Sequence, residues 1–208
     1  YHPKHWAPVS LQGYKEGDFA MTMGYPGSTN RYLSSYGIRE RRDAQNEPRA
    51  QVRGVKQEVM TRHMRADEAV RIKYDSKFAQ SANYWKNSIG MNKCIDSIGL
   101  IQQKREFEQR IRQWQDETGY LKGKLDFDKM EQLYNKRFEA MKNLMYSRES
   151  FYRTNELADR AIRLNRIEVK GPKDKPKKQY VEFEDNSDTW DAALDKEVLA
   201  VLMRNYRQ

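Results

Sequence analysis

A chain of 208 residues is long enough to bury one sizeable core or two small ones. Only 38% of its residues are hydrophobic and 33% are charged, with a mean hydropathy of -1.07, which excludes a helical membrane protein and a deeply layered parallel α/β sheet. The formal charge of +9 is mostly dispersed, because runs such as Gln103 to Arg110 mix both signs at helical spacing; this reads as a solvated helix face, and no nucleic-acid partner is expected.

The segment Tyr1-His2-Pro3-Lys4-His5 has no initiator Met and no apolar signal-peptide core, so an internal or processed piece of a longer protein is expected. No apolar run reaches the roughly 18 to 20 residues that span a bilayer, so no membrane span is expected either. Along the first stretch, Pro3, Pro8, Gly13, Gly17, Gly24, Pro26 and Gly27 punctuate short apolar runs. Phe19-Ala20-Met21-Thr22-Met23 reads as a buried strand and Tyr25-Pro26-Gly27-Ser28 as the tight turn after it.

From about Pro48 the pattern becomes helical. Val70, Tyr74, Phe78, Ala82, Trp85 and Ile89 make one apolar stripe, with Asp67 as the cap before it. Gly99 is expected to break or kink that helix, after which Ile101, Phe107, Ile111 and Trp114 outline another that ends near Gly119. Asp126 caps the next, where Phe127, Met130, Tyr134, Phe138, Met141 and Met145 form a seam against a partner helix. Leu144, Phe151 and Leu157 carry apolar content towards about Ile167. Helices of this length predict an elongated antiparallel bundle. Lys170 to Lys178, rich in Lys and Pro, reads as an exposed loop or linker. An acidic patch from Glu182 to Asp191 leads into a last helix, capped by Ser187 or Asp188 and burying Trp190, Leu194, Val198 and Val201.

Site chemistry is sparse. There is no Gly-x-Ser-x-Gly elbow; His2, His5 and His63 have no evident serine or cysteine partner, and His63 is expected on a helix surface. With Cys94 as the single cysteine there is no internal disulfide, and neither the Cys/His spacing of a zinc site nor an inward Glu-x-x-His pair occurs, so no metal and no cofactor are expected. The segment Gly24 to Thr29 lacks the lysine and helix start of a phosphate loop. Arg148 to Arg153 interleaves basic and aromatic residues, which on a helix reads more strongly as packing than as nucleic-acid contact. Two stretches ask for more than packing: the polar turn Tyr25 to Tyr32 behind an apparent strand, and Ser81 to Gly90, with two amides and several aromatics on one helix. The simplest account has Asn30 satisfying turn backbone, and Asn83 and Asn87 bonding neighbouring helices.

These stretches resemble the bacterial serine dipeptidyl-peptidases of the dipeptidyl-peptidase 7 and 11 family. The matching text is Gly17-Asp18-Phe19-Ala20-Met21-Thr22-Met23-Gly24-Tyr25-Pro26-Gly27-Ser28-Thr29-Asn30-Arg31-Tyr32, then Val52-Arg53-Gly54-Val55-Lys56-Gln57, Ala69-Val70-Arg71-Ile72-Lys73-Tyr74, and Asn83-Tyr84-Trp85-Lys86-Asn87-Ser88-Ile89-Gly90-Met91-Asn92. The resemblance implies a mainly α chain: residues 1–36 as the end of a chymotrypsin-like catalytic β-barrel with its junction turn, and 37–208 as an inserted α-helical cap domain with an exposed Lys/Pro-rich loop at about 169–179. It implies a serine exopeptidase parent that releases dipeptides from free peptide N-termini, with the catalytic triad outside this fragment, which is expected to be inactive alone. Asn30 is the residue implied to bind the substrate's N-terminus. Its partners are then peptide substrates and the rest of the catalytic domain, with a homodimeric parent left open, in the periplasm or on the surface of a Gram-negative bacterium. The alternative is a non-enzymatic helical interaction or scaffold domain.

Overall fold

The computed structural model describes residues 2–6, 8–19, 21, 29–152, 155–158, 161 and 189–207. The chain divides into two compact units, Tyr1–Tyr32 and Leu33–Gln208.

In the first unit the described residues form turns and extended chain, with no strand among them. Asp18 closes a turn: its carboxylate accepts from Lys15 N–H at 2.7 Å and its own N–H donates to the Lys15 carbonyl at 3.1 Å. Of the expected strand, Phe19 and Met21 are exposed and belong to no strand, while Ala20, Thr22 and Met23 lie outside the described residues, as does the turn Tyr25 to Ser28. A strand exists only through hydrogen bonds to a neighbouring strand, and no described segment offers one.

The second unit is helical. Its elements are α1 (Ser35–Arg39), a π-helical segment π1 (Glu40–Asn46), α2 (Glu47–Ala66), α3 (Glu68–Ser97), α4 (Leu100–Thr118), α5 (Phe127–Ser147), a second π segment π2 (Arg148–Tyr152) and α6 (Ala192–Arg207). Helix thus begins well before Pro48, with Ser34 Oγ capping α1 by accepting from Gly37 N–H at 3.2 Å. Pro48 does not start a helix because π1 precedes it. An α-helix would press the proline ring against the carbonyl of Ala44, whereas the wider π turn, with Glu47 N–H bonded to the Arg42 carbonyl, leaves room for it.

Asp67 ends α2 and caps α3, its carboxylate accepting from the N–H groups of Ala69 at 2.7 Å and Val70 at 3.3 Å. Pairing across this hairpin is antiparallel: Arg42 meets Asp96, Asn46 meets Asn92, Gly54 faces Trp85 and Gln57 reaches Phe78. Asn92 ties α3 to the irregular segment, its amide donating to the Arg42 carbonyl and its oxygen accepting from Asn46. Gly99, at φ +61°, separates α3 from α4, and Gly119, at φ +66°, ends α4 as expected.

Two expectations are corrected here. On α4 the buried side chains are Glu108 and Gln115, while Phe107 and Trp114 are exposed and Ile101 and Ile111 half-buried. Glu108 is inside because it caps α1 from a distance, accepting from Ser35 N–H and Ser35 Oγ at 2.7 Å each. Gln115 is inside because it donates to the carbonyls of Leu121 and Leu125. Secondly, the bundle is not wholly antiparallel. Arg39 bonds Asn135, Glu40 bonds Arg137, Gln51 bonds Tyr146 and Arg53 bonds Glu149, so the chain from α1 to α2 runs parallel to α5 and π2. The α5 seam faces as expected, with Phe127 and Met145 buried and the four residues between them half-buried.

The core gathers Val52, Val59 and Met60 of α2, Val70 and Tyr74 of α3, and Leu194, Val198 and Leu202 of α6. Each such side chain contributes about 1.5 to 3 kcal/mol of burial. Ser187 and Asp188 lie outside the described residues; α6 is capped instead by Asp191, whose carboxylate accepts from Leu194 N–H at 2.8 Å. Tyr74 Oη holds the same residue, donating to the Asp191 carbonyl at 3.4 Å and accepting from its N–H at 3.2 Å, and burial pushes its phenol up to about 12. After π2, Asn155 is not helical and caps the helical residues that start at Glu156 by accepting from Ala158 N–H at 2.9 Å, while Ile167 lies outside the described residues. The Lys/Pro-rich loop at 169–179 lies outside the described residues.

Candidate functional site

Asn30 is exposed at the end of the first unit and has no hydrogen-bond partner among the described residues. Asn83 and Asn87, one turn apart on α3, are likewise exposed and bond no neighbouring helix among the described residues; Asn46 and Asn92 are amides that do join elements. His63 is half-buried rather than a bare surface residue, its Nε2 lying 2.7 Å from Glu197 Oε2 of α6. Phe151 packs edge-on against Tyr206 at 5.1 Å between centroids, which supports packing for the Arg148 to Arg153 stretch. No group of three or more potential metal-ligating side chains occurs among the described residues, and no described helix is long and apolar enough to cross a membrane.

The strongest polar constellation is one the sequence analysis does not pick out. Arg49, Arg53 and Lys56 fall on one face of α2 with no acid at the i±3 or i±4 positions of that face, so their counter-charge has to arrive from elsewhere in the fold. It arrives on π2. Glu149, buried, binds Arg49 Nε at 3.0 Å and Arg53 Nε at 2.7 Å with separate oxygens, and the Arg53 guanidinium stacks 4.8 Å from the Tyr84 ring centroid. That cationic stripe without a local acid was the available signal. Together with Tyr74, Lys77 and Ser81 of α3 and Asp195 of α6, these residues surround a cavity of about 400 Å³.

Burial within this wall, reinforced by the adjacent Arg53 guanidinium, pushes the Lys56 amine down to about 8, against the opposing pull of Asp195, Glu156 and Glu149. Asp195 accepts three hydrogen bonds from residues 155–157: Oδ1 from Asn155 Nδ2 and Glu156 N–H, and Oδ2 from Leu157 N–H at 3.0 Å. Glu156 pairs with Lys77 at 2.8 Å. None of these groups has the serine–histidine pairing of a nucleophilic site.

The sequence profile of peptidase S46 matches residues 1–208. Dipeptidyl-peptidase 7 of Porphyromonas endodontalis is 39% identical over 214 aligned residues, covering 100% of this chain and 25% of that protein. Dipeptidyl-peptidase 7 of Porphyromonas gingivalis is 44% identical over 76% of this chain and 22% of its own length. In three dimensions the chain superposes on the crystal structure of Porphyromonas endodontalis DPP11 in complex with dipeptide Arg-Glu, with a TM-score of 0.73 and 26% identity over 98% of this chain and 30% of that one. The chain thus spans about a quarter of the length of the relatives it matches. Agreement along its whole length in both sequence and fold identifies it: this chain belongs to the peptidase S46 family.

Proposed function

We propose that the protein carrying this chain is a serine dipeptidyl-peptidase, and that these residues form its helical cap and part of its N-terminus recognition rather than its nucleophilic machinery. The observation that carries this reading is the full-length match to peptidase S46, with relatives named dipeptidyl-peptidase 7 along the entire chain. The structural neighbour with a bound Arg-Glu dipeptide supports short peptides as ligands. Residues 1–36 would then close the first chymotrypsin-like barrel, with the triad elsewhere in the parent. There a serine attacks the second peptide bond, a histidine moves the proton to the leaving amine, and backbone donors stabilise the oxyanion. A free peptide N-terminus is the substrate end, and the periplasm or cell surface is the compartment.

Exopeptidase register requires an acceptor for the α-ammonium two residues before the scissile bond. We assign that acceptor to the Asn30 amide oxygen, which needs no ionisation to take a hydrogen bond from an ammonium and is exposed without a partner among the described residues. A hydrogen bond to a charged group contributes about 1.5 to 3 kcal/mol, so Asn30→Ala in the full-length enzyme should lower kcat/KM by about one to two powers of ten. Substrates with a blocked N-terminus should be poor for both forms. Asn83→Ala is the companion variant. Because Asn83 is exposed and has no hydrogen bond among the described residues, it should leave stability intact instead of acting through packing. If kcat/KM collapses for Asn83→Ala and is unchanged for Asn30→Ala, the acceptor lies on α3 and the Asn30 assignment is wrong. No turnover of any free dipeptidyl substrate by the full-length protein would sink the peptidase reading itself.

A further inference from the structure

Asn30 is joined to the first helix by a short stretch of chain. Ser35, which opens α1, lies five residues after it, so the chain between them reaches about 18 Å at most. α1 begins the helical run that continues through π1 into α2, and a helix start is where backbone N–H groups lack partners and the chain frays. Several groups hold this start. Its first turn has no acid of its own, and the buried Glu108 carboxylate of α4 supplies one, Oε1 accepting from Ser35 N–H and Oε2 from Ser35 Oγ, both at 2.7 Å. Gly37 lies so close to α5 that a Cβ there would fall 3.0 Å from Tyr134 Oη and 3.1 Å from Leu33 Cδ2. One turn on, Arg39 bonds Asn135 and Glu40 accepts two bonds from Arg137. The apolar side chain that α1 itself buries is Ile38, so the core asks little of its placement. A carboxylate 6% exposed and 73 positions away, bonded twice to the first helical residue, fixes where the chain enters the bundle.

We propose that Glu108 is a positioning residue for N-terminus recognition: by fixing Ser35 it fixes the point from which the chain runs back to Asn30, and so restricts where the Asn30 amide can meet the substrate's α-ammonium. This inference rests on Asn30 being the ammonium acceptor. Glu108 touches no substrate and acts through Ser35 and the stretch of chain before it. A binding group displaced by about 1 Å can cost a reaction up to ~100-fold with the chemistry itself intact. Because the displaced group binds substrate and takes no part in bond making, the loss belongs in KM and not in kcat.

The test is a double-substitution cycle in the full-length enzyme, assayed on dipeptidyl 4-methylcoumaryl-7-amides with a free α-amine. Glu108→Met keeps the length of the side chain and removes both acceptor oxygens. It should lower kcat/KM about 5- to 10-fold through KM, with kcat within ~2-fold of the parent. Lost folded protein would do the reverse, lowering kcat at unchanged KM. Glu108→Gln still accepts from Ser35 N–H and donates to the hydroxyl oxygen, so it should stay within ~2-fold of the parent. In the Asn30→Ala enzyme, Glu108→Met should cost less than ~2-fold more, since no acceptor is left to misplace. Ser35→Ala removes only the hydroxyl bond; its KM should rise about 3-fold, the rise should disappear in the Asn30→Ala enzyme, and this variant decides the matter if Glu108→Met fails to fold. An unchanged KM in the Glu108→Met or Ser35→Ala enzyme, or a rise that persists undiminished in the Asn30→Ala enzyme, overturns the positioning role while Asn30 stands as the acceptor. An unchanged kcat/KM in Asn30→Ala alone refutes the Asn30 assignment, and the positioning role falls with it.

Discussion

Removing the Glu149 carboxylate is the most direct way to ask whether the bundle is organised around that buried charge. Its side chain is 6% exposed and those of Arg49 and Arg53 are 14% and 9%, so Glu149→Gln would leave two nearly desolvated guanidiniums without a counter-ion on π2. A buried ion pair broken from one side costs about 3 to 5 kcal/mol, because the orphaned charge keeps its desolvation penalty. That is a large share of the 5 to 15 kcal/mol or so by which a typical domain is stable. The loss should be local to the seam between α2 and π2, so hydrogen exchange followed by mass spectrometry on the full-length protein is the suitable assay. Amides of α2 should exchange about two to four powers of ten faster, up to the limit set by global unfolding. In a double-mutant cycle, Glu149→Gln and Arg53→Met should couple by about 1 to 3 kcal/mol, since the second substitution removes one of the two orphaned charges. Exchange altered by less than about tenfold, or additive effects, would show that the arginines are solvated well enough to do without Glu149.

Gly99→Ala should destabilise the α3–α4 junction by about 1 kcal/mol, because φ there is +61° and an L side chain meets its own carbonyl in that region; thermal melting should show Gly99→Asn costing less than Gly99→Ala. The Glu197 carboxyl is held below its ordinary 4.5 first by Arg62 and then by His63, so the stability it lends is full above that value and is lost as pH falls through the lowered folded-state pKa. A melting-temperature profile on the acid side should therefore be flatter in Glu197→Gln, and an unchanged slope would mean the α2–α6 pair contributes nothing.

The helical character of this chain was written locally. Asp67 and Asp126 have the short acceptor side chain that caps a helix, Gly99 and Gly119 supply the positive φ that ends one, and the steps of three and four along α5 set which face turns inward. Each of those signals depends on residues within a few positions of one another, so each survives without knowledge of the fold. The motif text around Asn30 and Asn83 likewise carried the family. What the sequence could not determine was direction and charge. Whether α5 lies parallel or antiparallel to α2 depends on loops and packing between residues nearly a hundred positions apart, as in the Arg53–Glu149 bond. Glu108 on α4 looks like a solvent residue because its two hydrogen-bond partners belong to Ser35, far upstream, and only the folded chain turns it into a cap. For the same reason Arg49, Arg53 and Lys56 read as surface charge until π2 and α6 close over them. Propensity and periodicity act over one helical turn, whereas a buried ion is tolerated only where distant segments converge to pair it, and that convergence is a property of the tertiary structure alone.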